Sequence, residues 1–197
     1  FDTYPTTLIQ AYVEGIFCNL TSGSVYPEFD RNLNDTKEEI RPGEPLHVGM
    51  DFNVGKMAAI IHIQRDAKPH AVAELTSVYD TPAMIKLIKE RYENHPVLVY
   101  PDASGNSRKS NNASESDLAL LRQAKFQVCS NPRNPAVKDR VLSMNAMIHK
   151  NGKRDYRVSQ DRCPVYVECL EQQAYDANGE PDKSSGHDHA IDAGGYY

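Results

Sequence analysis

From Leu46 onward the apolar positions fall into short β-type runs broken by one helical stretch. His47-Val48-Gly49-Met50-Asp51-Phe52, Met57 to Gln64 and Ala71 to Tyr79 are apolar and rich in β-formers, which predicts strands. The intervals between them are short, so hairpin-linked antiparallel pairing is expected. Thr81-Pro82 supplies an N-cap and a proline at the first helical position. Met84, Ile85, Leu87, Ile88 and Tyr92 then recur at helical spacing until His95-Pro96 stops the helix. Val97-Leu98-Val99-Tyr100 reads as a buried strand ended by Pro101-Asp102.

Beyond Asp102 a polar loop, Ser104 to Asn112, leads to Ser114-Glu115-Ser116-Asp117. That run resembles a capping box, opening a helix lined by Leu118, Leu120 and Leu121. Phe126 to Cys129 predicts a fifth strand. Asn134-Pro135 is expected to cap a long helix whose Val137, Val141, Met144 and Ile148 share one face. Cys163-Pro164 opens another, with Val167, Leu170 and Ala174 on one side. After a loop from Asp176 to Gly186, with Asn178-Gly179 as a hairpin turn, a last helix begins near His187.

Residues 1–45 read as an arm, polar and turn-rich, ending in the breaker run Arg41-Pro42-Gly43-Glu44-Pro45. A short helix over Leu8 to Phe17 and a short strand over Val25 to Phe29 are expected within it. Residues 46–197 are expected to form one α/β domain, a mixed sheet with helices on both faces.

With 197 residues, 40% of them hydrophobic and 25% charged, the chain has enough apolar material for one core and too much for disorder. No run approaches the ~20 apolar residues of a membrane span. Cys18, Cys129, Cys163 and Cys169 have no CxxC spacing, so reduced thiols are the simpler expectation. An opening Phe1 suggests a piece of a longer protein or a processed chain. The net charge of −5 excludes an overall basic field, but the distribution is uneven. Residues 86–157 hold 14 Lys and Arg against 7 acids, and the remainder holds 8 against 20. A basic half beside an acidic half suits an enzyme that handles a polyanion through metal ions.

Three acidic positions carry the candidate chemistry. Asp51 lies in an apolar strand, where a carboxylate is expensive to bury unless it meets a cation. Asp102 follows a buried strand at its carboxyl end, the edge where open α/β sheets place ligands. In Gly186-His187-Asp188-His189-Ala190-Ile191-Asp192, helical spacing puts Asp188 and His189 on the same face as Asp192. If the first and fourth strands are parallel neighbours, these acids converge on one edge. Hard oxygen ligands point to Mg²⁺ or Mn²⁺. Two such ions, roughly 3.5–4 Å apart, activate a water and stabilise the leaving oxygen of a phosphodiester.

Gly49-Met50-Asp51-Phe52-Asn53, Tyr100-Pro101-Asp102-Ala103-Ser104 and His189-Ala190-Ile191-Asp192-Ala193 with Tyr196 together resemble the nuclease domain of the large terminase subunit of tailed bacteriophages. The arm's Gly23-Ser24-Val25-Tyr26-Pro27-Glu28-Phe29-Asp30 also resembles the segment preceding that domain. The nearest likeness is to headful-packaging podophages of enteric bacteria. The resemblance implies an RNase H-like fold and cleavage of concatemeric double-stranded DNA with two divalent ions, Mg²⁺ or Mn²⁺. Asp51, Asp102 and Asp192 would be the catalytic metal-binding acids, with Asp188 and His189 as further ligand candidates. Where relatives commonly have Arg in the final helix, this chain has Gly194-Gly195. An upstream ATPase domain, the small terminase subunit and the portal would be partners, in the cytoplasm of the infected bacterium.

Gly55-Lys56 is not a phosphate loop, because the required first glycine falls on Met50 and Met57 replaces the Ser or Thr. Candidate DNA contacts are Arg108 and Lys109 in the loop after Asp102, and Arg133, Lys138 and Arg140 around the start of the long helix. Lys183 stands near the end of a loop expected to cover the site. Lys150, Lys153, Arg154 and Arg157 form a second basic cluster. Contacts to phosphate alone predict sequence-independent, salt-sensitive binding. A different RNase H-like enzyme, such as a resolvase or transposase, and a non-catalytic docking domain are the rival readings.

Overall fold

Eleven elements succeed one another in the computed structural model, which describes residues 23–53, 55–103 and 116–197. They are β1 (Leu46–Asp51), β2 (Met57–Arg65), β3 (Lys68–Val78), α1 (Thr81–Arg91), β4 (Val97–Pro101), α2 (Asp117–Gln123), β5 (Gln127–Val128), α3 (Val137–Ile148), β6 (Arg157–Val158), α4 (Pro164–Gln172) and α5 (Asp188–Gly195). The strands form one mixed sheet in the order β5-β4-β1-β2-β3-β6. β1, β2 and β3 pair antiparallel, whereas β4, β5 and β6 join parallel to their neighbours. This is the expected mixed sheet, with the first and fourth strands adjacent and parallel. No helix among the described residues is long and apolar enough to cross a membrane.

Alternation along the strands feeds two cores. Leu46, Val48 and Met50 of β1, with Met57, Ala59, Ile61 and Ile63 of β2, pack on one face beneath Met84 and Ile88 of α1 and Leu118 and Leu121 of α2. Ala58 and Ile60 enter the opposite core with residues of α3, α4 and α5. Helices on both faces explain why β2 reads as a continuous apolar run.

Several local expectations change. The cap of α1 is Asp80, whose side chain accepts from the Ala83 amide at 2.9 Å, which places Pro82 second in the helix. Thr81 is buried instead and donates to Asp117 at 2.5 Å. Ser116, within the run read as a capping box, caps α2 and accepts from the Ala119 amide; Ser114, the capping-box position, lies outside the described residues. Asn134 does not cap α3; Ala136 holds that position without a side-chain bond. The N-terminus of α4 is closed from β3, where the Glu74 carboxylate accepts from the Val165 and Tyr166 amides at 3.0 and 2.8 Å. Ala174 lies beyond α4 and bridges to Ser24.

Residues 23–45 lie against the domain. Val25, Tyr26 and Phe29 are buried in the core below α3 and α4, at a turn rather than in the expected strand. Asn34 is fully buried and its amide donates to the carbonyls of Ile148 and Tyr156 at 3.1 and 2.9 Å. Arg154 and Arg157 donate to the carbonyls of Glu28 and Leu33, both at 2.6 Å, so they anchor this segment. The helix expected over Leu8 to Phe17 lies outside the described residues.

Candidate active site

β1 and β4 run side by side with Met50 opposite Pro101, and the Asp102 amide donates to the Met50 carbonyl at 2.9 Å. Both carboxyl ends therefore open on one edge. Leu46, Val48 and Met50 face one core, which turns Gly49 and Asp51 to the other side of the sheet. There α5 crosses β1 so closely that a methyl group on Gly49 would overlap the Ala193 carbonyl. One on Gly194 would overlap the Tyr166 hydroxyl. Tyr166 is itself fixed by a 2.8 Å bond to Tyr156, which bonds the buried His62 at 2.8 Å. The close seat of α5 sets Asp188, His189 and Asp192 beside the ends of β1 and β4.

A single cleft of about 400 Å³ takes in Asp51, Asp102, Asp188, His189 and Asp192. Asn53, Asn134, Arg140, Lys183 and Tyr196 also line it. Asp51 lies 3.3 Å from His189 Nδ1, and the Asn53 amide donates to Nε2 of the same ring at 3.1 Å. The same amide lies 3.2 Å from Nδ1, so Asn53 and Asp51 together hold the ring at the cleft. Asp102 accepts from Asn134 Nδ2 at 2.5 Å, while Asn134 Oδ1 accepts from the Ala103 amide at 2.7 Å. Asp192 pairs with Arg140 at 2.9 Å. The Arg140 guanidinium stands 4.8 Å over the Tyr196 ring. One oxygen of Asp188 is buried and finds no hydrogen-bond partner among the described residues.

The charges reinforce one another. Burial pushes the Asp51 carboxyl up to about 6, and the Asp192 and Asp102 charges add to the rise against the pull of His189. Asp192 is also raised, first by burial, with Arg140 opposing. Crowded, partly desolvated carboxylates with one orphaned oxygen have the donor chemistry of a hard divalent cation. The described residues include no ready-made group of three or more His, Cys, Asp or Glu able to hold a metal ion. Asp51, Asp102 and Asp192 are each held by a protein partner, His189, Asn134 and Arg140 respectively.

The structure thus brings together Asp51, Asp102, Asp188, His189, Asp192, Arg140 and Lys183. Arg133 and Lys138 are exposed near the start of α3 and do not line the cleft. Arg108 and Lys109 lie outside the described residues. Sequence reasoning missed Asn53, and it assigned Asn134 to a helix cap. The one signal available for Asn53 was its place two residues after Asp51, just past the end of β1.

The terminase RNaseH-like domain family matches residues 48–197. The chain belongs to that family. The P22 large terminase nuclease domain superposes with a TM-score of 0.67 at 16% identity, over 89% of this chain and 90% of that one. A longer large terminase, from a thermophilic bacteriophage, gives 0.67 at 19% identity, over 88% of this chain and 44% of that one. The large terminase nuclease from thermophilic phage G20c, with bound magnesium, gives 0.57 at 12% identity, over 89% and 96%. At these identities the likeness shows the fold. The terminase domain spans under half the length of the longer protein. Among curated proteins, none matches the sequence significantly.

Proposed function

We propose that this terminase domain is a metal-dependent endonuclease that cuts concatemeric double-stranded phage DNA during packaging, with little sequence preference. One observation carries the reading: Asp51, Asp102 and Asp192, from β1, the end of β4 and α5, share one cleft at the carboxyl edge of the sheet. They would be the catalytic acids and, with Asp188 and His189, would hold two divalent ions, Mg²⁺ or Mn²⁺. When bound, such ions activate a water and stabilise the leaving oxygen of a phosphodiester. The magnesium bound to the G20c nuclease supports that cofactor class.

The chain's own residues prepare the site. Asn53 orients His189, and Asn134 orients Asp102. Arg140 and Lys183 bring positive charge to an acidic cleft, where a phosphate must approach. Contacts of that kind read no bases, which supports low sequence preference. The upstream ATPase domain, small terminase subunit and portal as partners belong to this reading. So do action in the infected cell's cytoplasm and a lineage near the headful-packaging phages of enteric bacteria.

Plasmid nicking and linearisation in Mn²⁺ or Mg²⁺ test it. Cleavage is expected from the parent chain and is expected to vanish in Asp51→Ala and Asp102→Ala. Activity that survives either substitution would remove that residue from the catalytic set.

A further inference from the structure

Two arginines of similar depth are bonded in different ways. Arg65, its side chain 13% exposed, donates to Glu38 and Glu44 at 2.7 Å and to the carbonyls of Gln64 and Glu39 at 2.8 and 2.7 Å. That guanidinium is saturated and structural. Arg140, 11% exposed, has a buried Nε with no hydrogen-bond partner among the described residues. Its ties are one carboxylate oxygen of Asp192, 2.9 Å away, and the face of Tyr196. The charge is held in place less by bonds than by the acids of the cleft.

Resting on the reading of that cleft as a divalent-cation site, we propose that Arg140 is the resident counter-ion of the Asp192 position. It neutralises Asp192 when no divalent ion is present and competes with an incoming ion for that carboxylate. A dication arriving beside Asp192 meets the like charge of Arg140 in a partly desolvated cleft, where repulsion is poorly screened. Either Arg140 turns away from Asp192 or the ion is held weakly. Arg140 is therefore a positioning residue that acts through Asp192 and sets the affinity of one side of the site. Asn134, six residues earlier, does the opposite for Asp102: it is neutral, and it orients the carboxylate without opposing a cation.

Calorimetric titration of Mn²⁺ into the 197-residue chain separates these effects without reading activity. R140Q is expected to tighten the weaker binding step about tenfold, while R140K, which keeps the charge, stays close to the parent. Y196L, which removes the ring beneath the guanidinium, is expected to tighten it by about threefold, and this holds the test open should R140Q melt early. In a D192N background, R140Q is expected to tighten Mn²⁺ binding by clearly less than it does with Asp192 present, because only the direct repulsion is then relieved. Unchanged or weaker Mn²⁺ binding in R140Q and Y196L overturns the proposal, as does a tightening as large with D192N as with Asp192 present. A parent chain that binds no Mn²⁺ at all overturns the cation-site reading itself, and the counter-ion role with it.

Discussion

Asp51 is 8% exposed and shares its cleft with Asp102, Asp188 and Asp192, and its carboxyl is pushed up to about 6. The native fold therefore prefers the protonated form more than the unfolded chain does. The stability linked to this proton is fully present below about pH 4 and is lost as pH rises through 6. The loss amounts to roughly 2–3 kcal/mol at neutral pH. Asp51→Asn, measured by thermal denaturation in chelator, is expected to match the parent at pH 4. At pH 8 it is expected to melt higher by roughly 4–8 °C. Equal melting at pH 8 would show that the charge is not a burden to the fold. Asn134 offers a contrasting case, since it is exposed and its two bonds reach Asp102 and the Ala103 amide. Asn134→Ala is expected to leave the melting temperature nearly unchanged and to slow Mn²⁺-dependent nicking by about ten- to a hundredfold, the usual loss when a ligand's orienting partner is removed.

At the scale of elements, the site depends on how closely α5 lies on the sheet. Gly49→Ala would drive a methyl group into the Ala193 carbonyl, and Gly194→Ala into the Tyr166 hydroxyl. Overpacking of this kind costs roughly 1–3 kcal/mol, and here it also displaces Asp192. Both variants are expected to lose stability and nicking together. Gly195→Ala is the control: its nearest foreign atoms, on Arg140, would lie 3.9–4.0 Å away, so its melting curve is expected to follow the parent's. The same elements show what the sequence makes legible. β1, β2, β4 and α1 announce themselves by period, and the three acids by their places at strand ends and on one helix face. β6 does not, because two residues owe their strand character to pairing with β3 some 87 positions earlier, His70 opposite Arg157. Val25 to Phe29 has the composition of a strand, yet its apolar side chains are buried from a turn by α3 and α4. The distant carboxylate partners of Asn134 and Arg140 leave no local pattern either.

Over the whole molecule, charge limits how DNA would be held under the proposed function. The net charge is −5, and among the described residues the cleft is lined by four aspartates and by the cations Arg140 and Lys183, with Arg133 and Lys138 exposed nearby. On the proposed function, a duplex phosphate backbone would find a few positive contacts set around an acidic centre. With about two to four phosphates neutralised, affinity is expected to fall by roughly ten- to a hundredfold between 50 and 200 mM salt. Lys183 belongs to the 176–186 loop and faces Asp192 electrostatically, so Lys183→Ala removes one contact without touching the sheet. That substitution is expected to reduce the slope of log affinity against log salt by about 1 and to weaken binding equally across unrelated sequences. Fluorescence anisotropy on labelled duplexes, in chelator and in an Asp51→Asn background expected to prevent cutting, measures both quantities. A slope unaffected by Lys183→Ala would take this loop out of the DNA path. Affinity that is flat with salt would mean that the duplex is gripped by something other than these cations.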